Sequence, residues 1–374
     1  MQDFIFFLEY HNKMKKVLVL GCTGSIGTNS LEIIENEKEF SLCGLQAHTS
    51  EKKLEELGHK FNCPTLLTSK LKSQNDFQDF LDKTKPDIVI NGIAGASGLL
   101  PSKIVLEKGI DLALANKETV VMAGPLIKEC AKNHNAKILP VDSEHSAIFC
   151  LINQLGKDKL DKIIITASGG PFRNYSKDEL KNITVEKALN HPTWKMGKKI
   201  TVDSSTLANK GLEVIEAMYL FDTDINNIQV IVHPQSIVHS LIRSKDGMLY
   251  AQLSEPDMKH PIINALYWPE NKYNYLKKFD LFDKELTFFK PRFDDFPLLK
   301  YAYEAAKNGN AHTIVFNAAN EVAVNAFLNK EISYLQIAEI VKKVLDKDWK
   351  NLPENFDEVF EIDTQARNYA KELI

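Results

Sequence analysis

A short apolar run followed by closely spaced glycines limits the fold of this chain more than any other feature. Residues 17–20 are typical of a buried strand, residues 21–27 carry three glycines, and a helical pattern follows. Strand, glycine turn and helix in this order are the context that a dinucleotide-binding fingerprint requires, because the helix N-terminus then faces a pyrophosphate. Gly21 and Gly24 would let the backbone turn and approach that anion, and Gly27 would let the helix pack closely. A plain tight turn is the alternative interpretation.

The alternation of strands and helices continues along the first half of the chain. Residues 41–46, 87–92 and 111–115 are further buried-strand patterns, and helical stretches separate them. This repetition predicts an α/β fold whose N-terminal part is a doubly wound parallel sheet of the Rossmann type. We expect a nucleotide-binding domain over 14–150, a central α/β catalytic and connective domain over 151–268 with a flexible loop at about 168–198, a linker over 269–297 and a small all-helical C-terminal domain over 298–374.

Charge and hydropathy argue against two classes of partner. The net charge of -4 gives no basis for nucleic-acid binding, and no apolar run approaches the ~20 residues of a membrane span. The five cysteines form no C-x-x-C pair, which favours free thiols in the cytoplasm over disulfides or a thiolate metal site. Residues 1–13 lack the basic start of a signal peptide, so we expect an extension ahead of the first strand.

Two carboxylates at the end of a short apolar run indicate a metal site. Asp142 and Glu144 follow residues 138–141, which we interpret as a strand, and their two-residue spacing would place both on one side of its end. Paired oxygen ligands suit a hard divalent cation such as Mg²⁺ or Mn²⁺. A solvated turn rich in Asp, Ser and Glu is the alternative.

A second polar cluster opens a later helix. Ser204, Asn209 and Lys210 would form a phosphate cradle beside a helix N-terminus, and Glu213 would supply a third carboxylate. Lys210 and Glu213 share a helical face because they are three residues apart. An ordinary ion pair in solvent is therefore the alternative.

Two strand ends carry candidate cofactor contacts. His48, Thr49 and Ser50 follow the second strand, where folds of this kind meet the adenosine ribose. An acidic residue there would favour NAD, and none is present, so NADP is favoured. Residues 116–118 fall at the carboxyl end of another strand, where ligands bind in such sheets, with a polar loop cap as the alternative.

Three further segments are candidates for contact with a ligand. Residues 168–172 are small enough for the backbone to approach a polar ligand, although a loop turn fits equally. Residues 191–197 predict a lid, because Trp194 stands in a polar, exposed segment, unless that ring packs onto the core. For His233 and His239, roles in the core or behind a site are favoured over ligation.

Six motifs occur together in a fixed order. GCTGSIG spans residues 21–27, ANKE 115–118, VDSEH 141–145, ASGGPF 167–172, HPTWKMG 191–197 and NKGLE 209–213. This combination resembles the 1-deoxy-D-xylulose 5-phosphate reductoisomerase family over essentially residues 15–370. The enzymes of that family make 2-C-methyl-D-erythritol 4-phosphate for isoprenoid synthesis. The resemblance implies an NADP-dependent oxidoreductase that acts on a small phosphorylated sugar and forms a homodimer.

The resemblance also implies roles for the residues at matching positions. Asp142, Glu144 and Glu213 would hold the divalent metal, with Mn²⁺ or Mg²⁺ as first candidates and Co²⁺ as a third, and with Lys117 they would be catalytic. The substrate would contact Lys117, Ser143, Glu144, Ser168, His191, Trp194, Ser204, Asn209, Lys210 and Glu213. NADPH would contact Thr23, Gly24, Ser25, Ile26, His48, Thr49, Ser50, Asn116, Glu118 and Gly197. Thr49 and Ser50 stand where the family usually has a basic residue and Asn.

The chemistry that the resemblance implies is consistent with these residue types. A metal held by three carboxylates can bind neighbouring oxygens of a ketose while its carbon skeleton rearranges. Lys117 can stabilise developing negative charge, and NADPH can supply the hydride. Closure of the lid on the phosphate would exclude water from the metal.

Three other functions agree less well with the residues. A semialdehyde dehydrogenase would need a thiolate nucleophile with a basic partner, and none of the five cysteines has such neighbours in the sequence. A short-chain reductase would carry Tyr-x-x-x-Lys, whereas Glu179 stands four residues after Tyr175. A protein that binds NADP without catalysis would not need three carboxylates beside a phosphate cradle.

Overall fold

A six-stranded parallel sheet forms the N-terminal part of the protein. The computed structural model describes residues 14–71, 73, 75–194, 196–349 and 352–374, so the predicted extension over residues 1–13 lies outside the described residues. The strands are β1 Lys15–Leu20, β2 Phe40–Ala47, β3 Thr65–Leu67, β4 Ile88–Asn91, β5 Asp111–Leu114 and β6 Ile138–Pro140. Their order is β3-β2-β1-β4-β5-β6, and every neighbouring pair is parallel. The predicted doubly wound sheet is confirmed.

Helices cover both faces of this sheet. They are α1 Ser25–Asn36, α2 Glu51–Phe61, α3 Asn75–Thr84, α4 Leu99–Glu107 and α5 Lys117–Asn133. Val17 and Val19 of β1 pack into the cluster of α1 and α2, whereas Leu18 and Leu20 pack into the cluster of α3, α4 and α5. Because both faces are buried, the central strand is a continuous apolar run rather than an alternating one.

A second, mixed sheet follows. Its strands are β7 Leu160–Ala167, β8 Ile228–Val232, β9 Val238–Ser244 and β10 Leu249–Leu253, in the order β10-β9-β7-β8. The helices of this region are α6 Ser143–Leu155, α7 Lys177–Leu180, α8 Val185–Ala188, α9 Lys198–Thr206, α10 Ala208–Leu220 and α11 Lys259–Tyr267. Helix α6 runs across the predicted domain boundary at residue 150 and contacts β9. The division into domains therefore stays a prediction.

The predicted linker over residues 269–297 is anchored to the second sheet. Phe289 exchanges two backbone hydrogen bonds of 2.8 Å with Val232 at the end of β8. The Arg292 guanidinium donates to the carbonyls of Arg173 and Tyr175, at 2.7 Å each, and so holds the start of the predicted flexible loop. This segment forms no helix among the described residues, as expected of a linker, but tertiary contacts fix its course.

The C-terminal region is helical, as predicted. Its helices are α12 Leu298–Asn308, α13 Asn310–Leu328, α14 Tyr334–Leu345 and α15 Phe356–Lys371. Helix α13 lies at the centre and contacts α12, α14, α15 and also α5 below the first sheet. Short 3₁₀ turns occur at Thr68–Lys70, Ala96–Gly98, Lys157–Lys159 and Ile225–Asn227. Across the part of the chain that the structure describes, no helix is both long and apolar enough to cross a membrane.

Candidate active site

A cleft of about 370 Å³ opens where strands of both sheets end. Its lining includes Gly24 after β1, Gly92 after β4, Ala115 after β5, Asp142 after β6 and Ser168 after β7. Strand order reverses between β1 and β4, and ligands of doubly wound sheets bind in the crevice at that point. The glycine turn at the start of α1 therefore faces the same space as the predicted metal site.

The glycine turn is built by close backbone approach. Gly21 has φ +70°, and a Cβ atom there would lie 2.7 Å from the carbonyl oxygen of Gly92. A Cβ on Gly27 would lie 2.4 Å from the Cα of Cys22, so only glycine lets α1 pack this closely against the turn. The role predicted for Gly27 agrees with this packing.

Three carboxylates and two ammonium groups meet on one wall of the cleft. Ligand oxygens of Asp142, Glu144 and Glu213 all lie within 4.8 Å of one another. Lys117 forms ion pairs with Asp142 and, at 3.1 Å, with Glu213. Lys210 forms ion pairs with Glu213 and, at 2.6 Å, with Glu144. The Asn209 amide donates to Glu213 Oε1 at 2.6 Å, which completes the cluster.

The two acidic residues of the VDSEH motif meet for a different reason from the one predicted. Strand β6 ends at Pro140, Asp142 precedes α6, and Glu144 lies in the first turn of that helix. The prediction that both project from a strand by alternation is wrong. The helix brings Glu144 towards Asp142 instead, and the N-terminal turn of a helix is also a favourable place for an acidic side chain.

The charges of this cluster are unbalanced, and the pKa values reflect it. Burial, together with the nearby Glu144 carboxylate, raises the pKa of Glu213 to about 7. Burial alone would lower the pKa of Lys117, but Asp142 and Glu213 raise it well above its ordinary value. Burial alone would raise the pKa of Glu144, but the Lys210 ammonium lowers it by more, so the pKa of Glu144 lies below its ordinary value. Two ammonium groups thus leave the third carboxylate incompletely neutralised, and a divalent cation fits this donor set.

A histidine links the loop after β7 to the end of α9. His191 Nε2 lies 3.1 Å from Ser168 Oγ and 3.1 Å from Ser204 Oγ. The backbone N–H groups of Thr193 and Trp194 donate to its Nδ1 at 3.1 and 2.9 Å, so Nε2 carries the proton. Burial lowers the pKa of His191, with Arg173 adding to the effect, and favours this neutral form.

The structure brings most of the predicted site residues into the cleft. Those that line it are Gly24, Ser25, Ile26, Lys117, Glu118, Asp142, Ser143, Glu144, Ser168, Trp194, Gly197, Ser204, Asn209, Lys210 and Glu213. His191 stands behind Ser168 and Ser204. The Trp194 ring is half-buried and lies 6.5 Å from the His239 ring, so it belongs to the cleft wall.

Five of the predicted cofactor contacts do not line this cleft. His48, Thr49 and Ser50 are exposed at the end of β2. The carbonyl oxygen of Thr23 accepts a 3.0 Å hydrogen bond from Lys53. The side-chain amide of Asn116 donates to the carbonyls of residues 93 and 95, so it supports the loop after β4 rather than facing the cleft.

Several residues of the site had no predicted role. Lys199 lines the cleft and pairs with Glu118 at 2.7 Å and with Asp203 at 3.0 Å. The ion pair of Lys199 with Asp203 could have been predicted, because the two residues are four apart on a helix. The ion pair of Lys199 with Glu118 could not, because no local sequence pattern connects them. Behind the carboxylates, His145 donates from Nε2 to the Glu213 carbonyl at 2.9 Å. Its Nδ1 lies 3.3 Å from Glu216.

Family models match most of the chain. The model described as 1-deoxy-D-xylulose 5-phosphate reductoisomerase matches residues 17–85 and 65–124. The model of the 1-deoxy-D-xylulose 5-phosphate reductoisomerase C-terminal domain matches residues 138–221. A further model, the DXP reductoisomerase C-terminal domain, matches residues 253–369.

Individual relatives and solved structures agree with these matches. The 1-deoxy-D-xylulose 5-phosphate reductoisomerase of Treponema denticola is 48% identical over 366 residues, which are 95% of this chain and 96% of that protein. The reductoisomerase of Zymomonas mobilis, solved with NADPH, has a TM-score of 0.86 at 37% identity and covers 96% of this chain and 99% of its own. A DOX-P reductoisomerase solved with NADPH, fosmidomycin and magnesium has a TM-score of 0.84 at 35% identity and covers 96% and 98%. The chain therefore belongs to the 1-deoxy-D-xylulose 5-phosphate reductoisomerase family.

Proposed function

We propose that the chain is an NADPH- and divalent-metal-dependent enzyme that converts 1-deoxy-D-xylulose 5-phosphate into 2-C-methyl-D-erythritol 4-phosphate, a precursor of isoprenoids. The observation that carries this function is the cluster of three carboxylates and two lysines that faces the dinucleotide crevice. A redox cofactor and a charged rearrangement site share one cleft, as a rearrangement followed by a reduction requires. The relatives solved with NADPH and with magnesium support both cofactors.

Asp142, Glu144 and Glu213 are the residues that would hold the metal. Their oxygens are mutually close enough to share one cation, and oxygen donors are those that Mg²⁺ and Mn²⁺ prefer. When bound, such a metal acts as a Lewis acid that polarises oxygens of the substrate. Lys117 and Lys210 hold these carboxylates close together, since each ammonium bridges two of them.

Lys117 has a second function in catalysis. Its ammonium is nearly buried and stays charged, because the pKa of its side chain is raised well above the ordinary value. A fixed positive charge in a water-poor cleft stabilises negative charge that develops on a substrate oxygen. Asn209 accepts from Lys117 Nζ at 2.9 Å and so keeps the ammonium aimed at the cluster.

The substrate phosphate would bind beside the carboxylates. Ser168 and Ser204 present hydroxyls to the cleft, the single N–H at His191 Nε2 is shared between them, and Lys210 supplies positive charge. Trp194 forms part of the same wall and would cover a bound sugar phosphate. A phosphate held by several neutral donors and one cation can then draw the loop over the cleft and exclude water.

NADPH would lie along the glycine turn. Gly24, Ser25 and Ile26 open α1, whose N-terminus favours a pyrophosphate, and Glu118 and Gly197 line the same cleft. Lys53 reaches back to the Thr23 carbonyl and so brings a positive charge beside this turn. We assign the preference for a 2′-phosphate to Lys53, with His48, Thr49 and Ser50 as further hydrogen-bond donors.

We propose that the protein forms a homodimer and is located in the cytoplasm. Strand β10 is an edge strand, and Leu249 on it is 54% exposed. Tyr273 and Phe282 in the following segment are 94% and 82% exposed. Apolar side chains beside an open strand are typical of a subunit interface.

The five cysteines are free thiols, which supports a reducing compartment.

The decisive experiment follows NADPH oxidation with 1-deoxy-D-xylulose 5-phosphate, with and without Mn²⁺ or Mg²⁺. We expect oxidation that requires both the sugar phosphate and the metal. Folded, metal-loaded protein that binds NADPH but does not oxidise it with this substrate would contradict the proposed reaction.

A further inference from the structure

A carboxylate from the C-terminal helices reaches the loop that follows β4. Glu321 of α13 accepts a hydrogen bond of 3.0 Å from the backbone N–H of Ala96, which is 225 residues earlier in the chain. Gly95 has φ +75°, and a Cβ atom there would lie 2.9 Å from Glu321 Oε1. The carboxylate thus packs directly against the turn that it binds.

Glu321 is itself held in place by a second helix. Arg367 of α15 donates from Nη2 to Glu321 Oε2 at 2.7 Å and from Nε to Asp363 at 2.7 Å. Glu321 is nearly buried, with a relative exposure of 9%. A buried carboxylate is costly unless it is paired, and removal of its partner leaves an uncompensated charge. Arg367 therefore pairs with the carboxylate of Glu321 and fixes its direction.

The loop that Glu321 holds belongs to the dinucleotide crevice. Gly92, Ile93 and Ala94 line the cleft, and Gly92 lies against the glycine turn after β1. From the other side, Asn116 donates to the carbonyls of Ile93 and Gly95 at 2.8 and 2.9 Å. The loop is thus held between a residue at the end of β5 and a residue of the C-terminal helices.

The same helices also contact helix α9, which lines the cleft with Lys199 and Asp203. The Asn320 amide, next to Glu321 on α13, donates to Asp203 at 2.8 Å. Asp203 in turn pairs with Lys199, a residue of the cleft wall. Consecutive residues of α13 therefore contact two segments that line the cleft, the loop after β4 and helix α9.

We propose that Glu321, oriented by Arg367, is a positioning residue for NADPH, which it serves by fixing the backbone of residues 92–96 at the cofactor crevice. Neither side chain lines the cleft, and the hydrogen bond from the Ala96 N–H is the direct contact through which Glu321 acts on this loop. The inference rests on the proposed binding of NADPH in that crevice. It gives the C-terminal helices a function in cofactor affinity, because a preformed loop does not have to be ordered when the dinucleotide binds.

The test measures NADPH binding directly, by nicotinamide fluorescence with metal-free and substrate-free protein. We expect Glu321→Met and Arg367→Met to weaken NADPH binding about tenfold, the order expected for one lost hydrogen bond to a charged acceptor. The KM for NADPH should rise in parallel, while kcat at saturating NADPH and the KM for the sugar phosphate stay within about twofold of wild type. Arg367→Lys, which keeps the charge, should give an intermediate affinity.

Val359→Ala is the matched control for general loosening of the bundle. Val359 is fully buried on α15, and its truncation removes packing without touching Glu321. Equal losses of NADPH affinity in Val359→Ala and Arg367→Met would overturn the inference. The inference would also be overturned if Glu321→Met or Arg367→Met bound NADPH with wild-type affinity while unfolding as cooperatively as the wild type. Absence of NADPH binding by the wild-type protein would instead contradict the proposed function.

Discussion

Lys117 and Glu213, which are 96 residues apart in the sequence, meet at 3.1 Å between Nζ and Oε1. Lys117 opens α5 beneath the first sheet, whereas Glu213 lies on α10 beside the second. The contact therefore joins the two halves of the cleft at the carboxylate cluster. Each partner has one further counterion, Asp142 for Lys117 and Lys210 for Glu213, so removing either one unbalances a buried cluster without leaving a lone charge.

Glu213→Gln should abolish metal-dependent turnover while NADPH binding is retained. The substitution keeps the size of the side chain but removes one of three anionic donors. We expect kcat to fall on the order of 10³-fold or more and the affinity for Mn²⁺ to fall with it. Glu186→Gln is the control and should keep full activity, because Glu186 forms an exposed ion pair with Lys330 at the surface. Unchanged turnover and metal affinity in Glu213→Gln would rule out this residue as a ligand.

His191→Asn should weaken the binding of the sugar phosphate and leave the binding of NADPH unaffected. The imidazole contacts two serine hydroxyls and accepts from the backbone N–H groups of Thr193 and Trp194, and asparagine is too short to keep all four contacts. We expect the Kd of the substrate, measured by calorimetry, to rise about tenfold. His59→Asn, an exposed change on α2, serves as the matched control. An equal rise in the Kd of NADPH would contradict a role confined to the substrate side.

Gly27→Ala should destabilise the fold, whereas Gly24→Ala should not. A Cβ at residue 27 would lie 2.4 Å from the Cα of Cys22, but one at residue 24 would meet only an ordinary contact of 3.4 Å. Overpacking of this kind costs about 1–3 kcal/mol in the free energy of unfolding. Urea denaturation of both variants at one pH checks the difference. Equal stability of the two would mean that α1 can shift away from the turn without cost.

His233 should make the protein less stable in acid. Its ring is fully buried, Nδ1 donates to the Thr287 carbonyl at 2.9 Å, and Nε2 accepts from the backbone N–H of Ile237 at 3.2 Å. Burial lowers the pKa of this imidazole, so the unfolded chain binds its proton at a higher pH than the folded chain does. The stabilisation is present above the unfolded pKa of about 6.5 and is lost as the pH falls through the folded pKa.

The measurement for His233 is the free energy of unfolding at about pH 7.5 and about pH 5. We expect the loss between the two to be smaller in His233→Asn than in wild type, because the variant lacks that titrating group. His59→Asn should lose as much as wild type, since His59 is exposed. A loss in His233→Asn as large as in the wild type would exclude His233 as a contributor.

The elements that depend on local pattern were predictable from the sequence. The apolar run before Gly21 and the helical spacing in α13 each specify one element, whereas the carboxylates of the VDSEH motif indicated a metal site only together with the other motifs. The reason that Asp142 and Glu144 meet was not predictable, because the start of α6 replaced the expected strand alternation. The pairing of Glu118 with Lys199 and of Ala96 with Glu321 depends on tertiary packing over 81 and 225 residues. No local periodicity encodes contacts at that separation.

The contact between Val232 and Phe289 determines how the second sheet can grow. Phe289 covers one end of β8, and the Tyr303 hydroxyl donates to the Ile228 carbonyl at its other end, at 3.0 Å. The strand at the opposite border, β10, has no such cover among the described residues. A sheet whose border strand is contacted at both ends adds a further strand more readily at its other border. Two copies joined along β10 would use the open border of each, which favours a finite two-fold dimer over an extended ribbon.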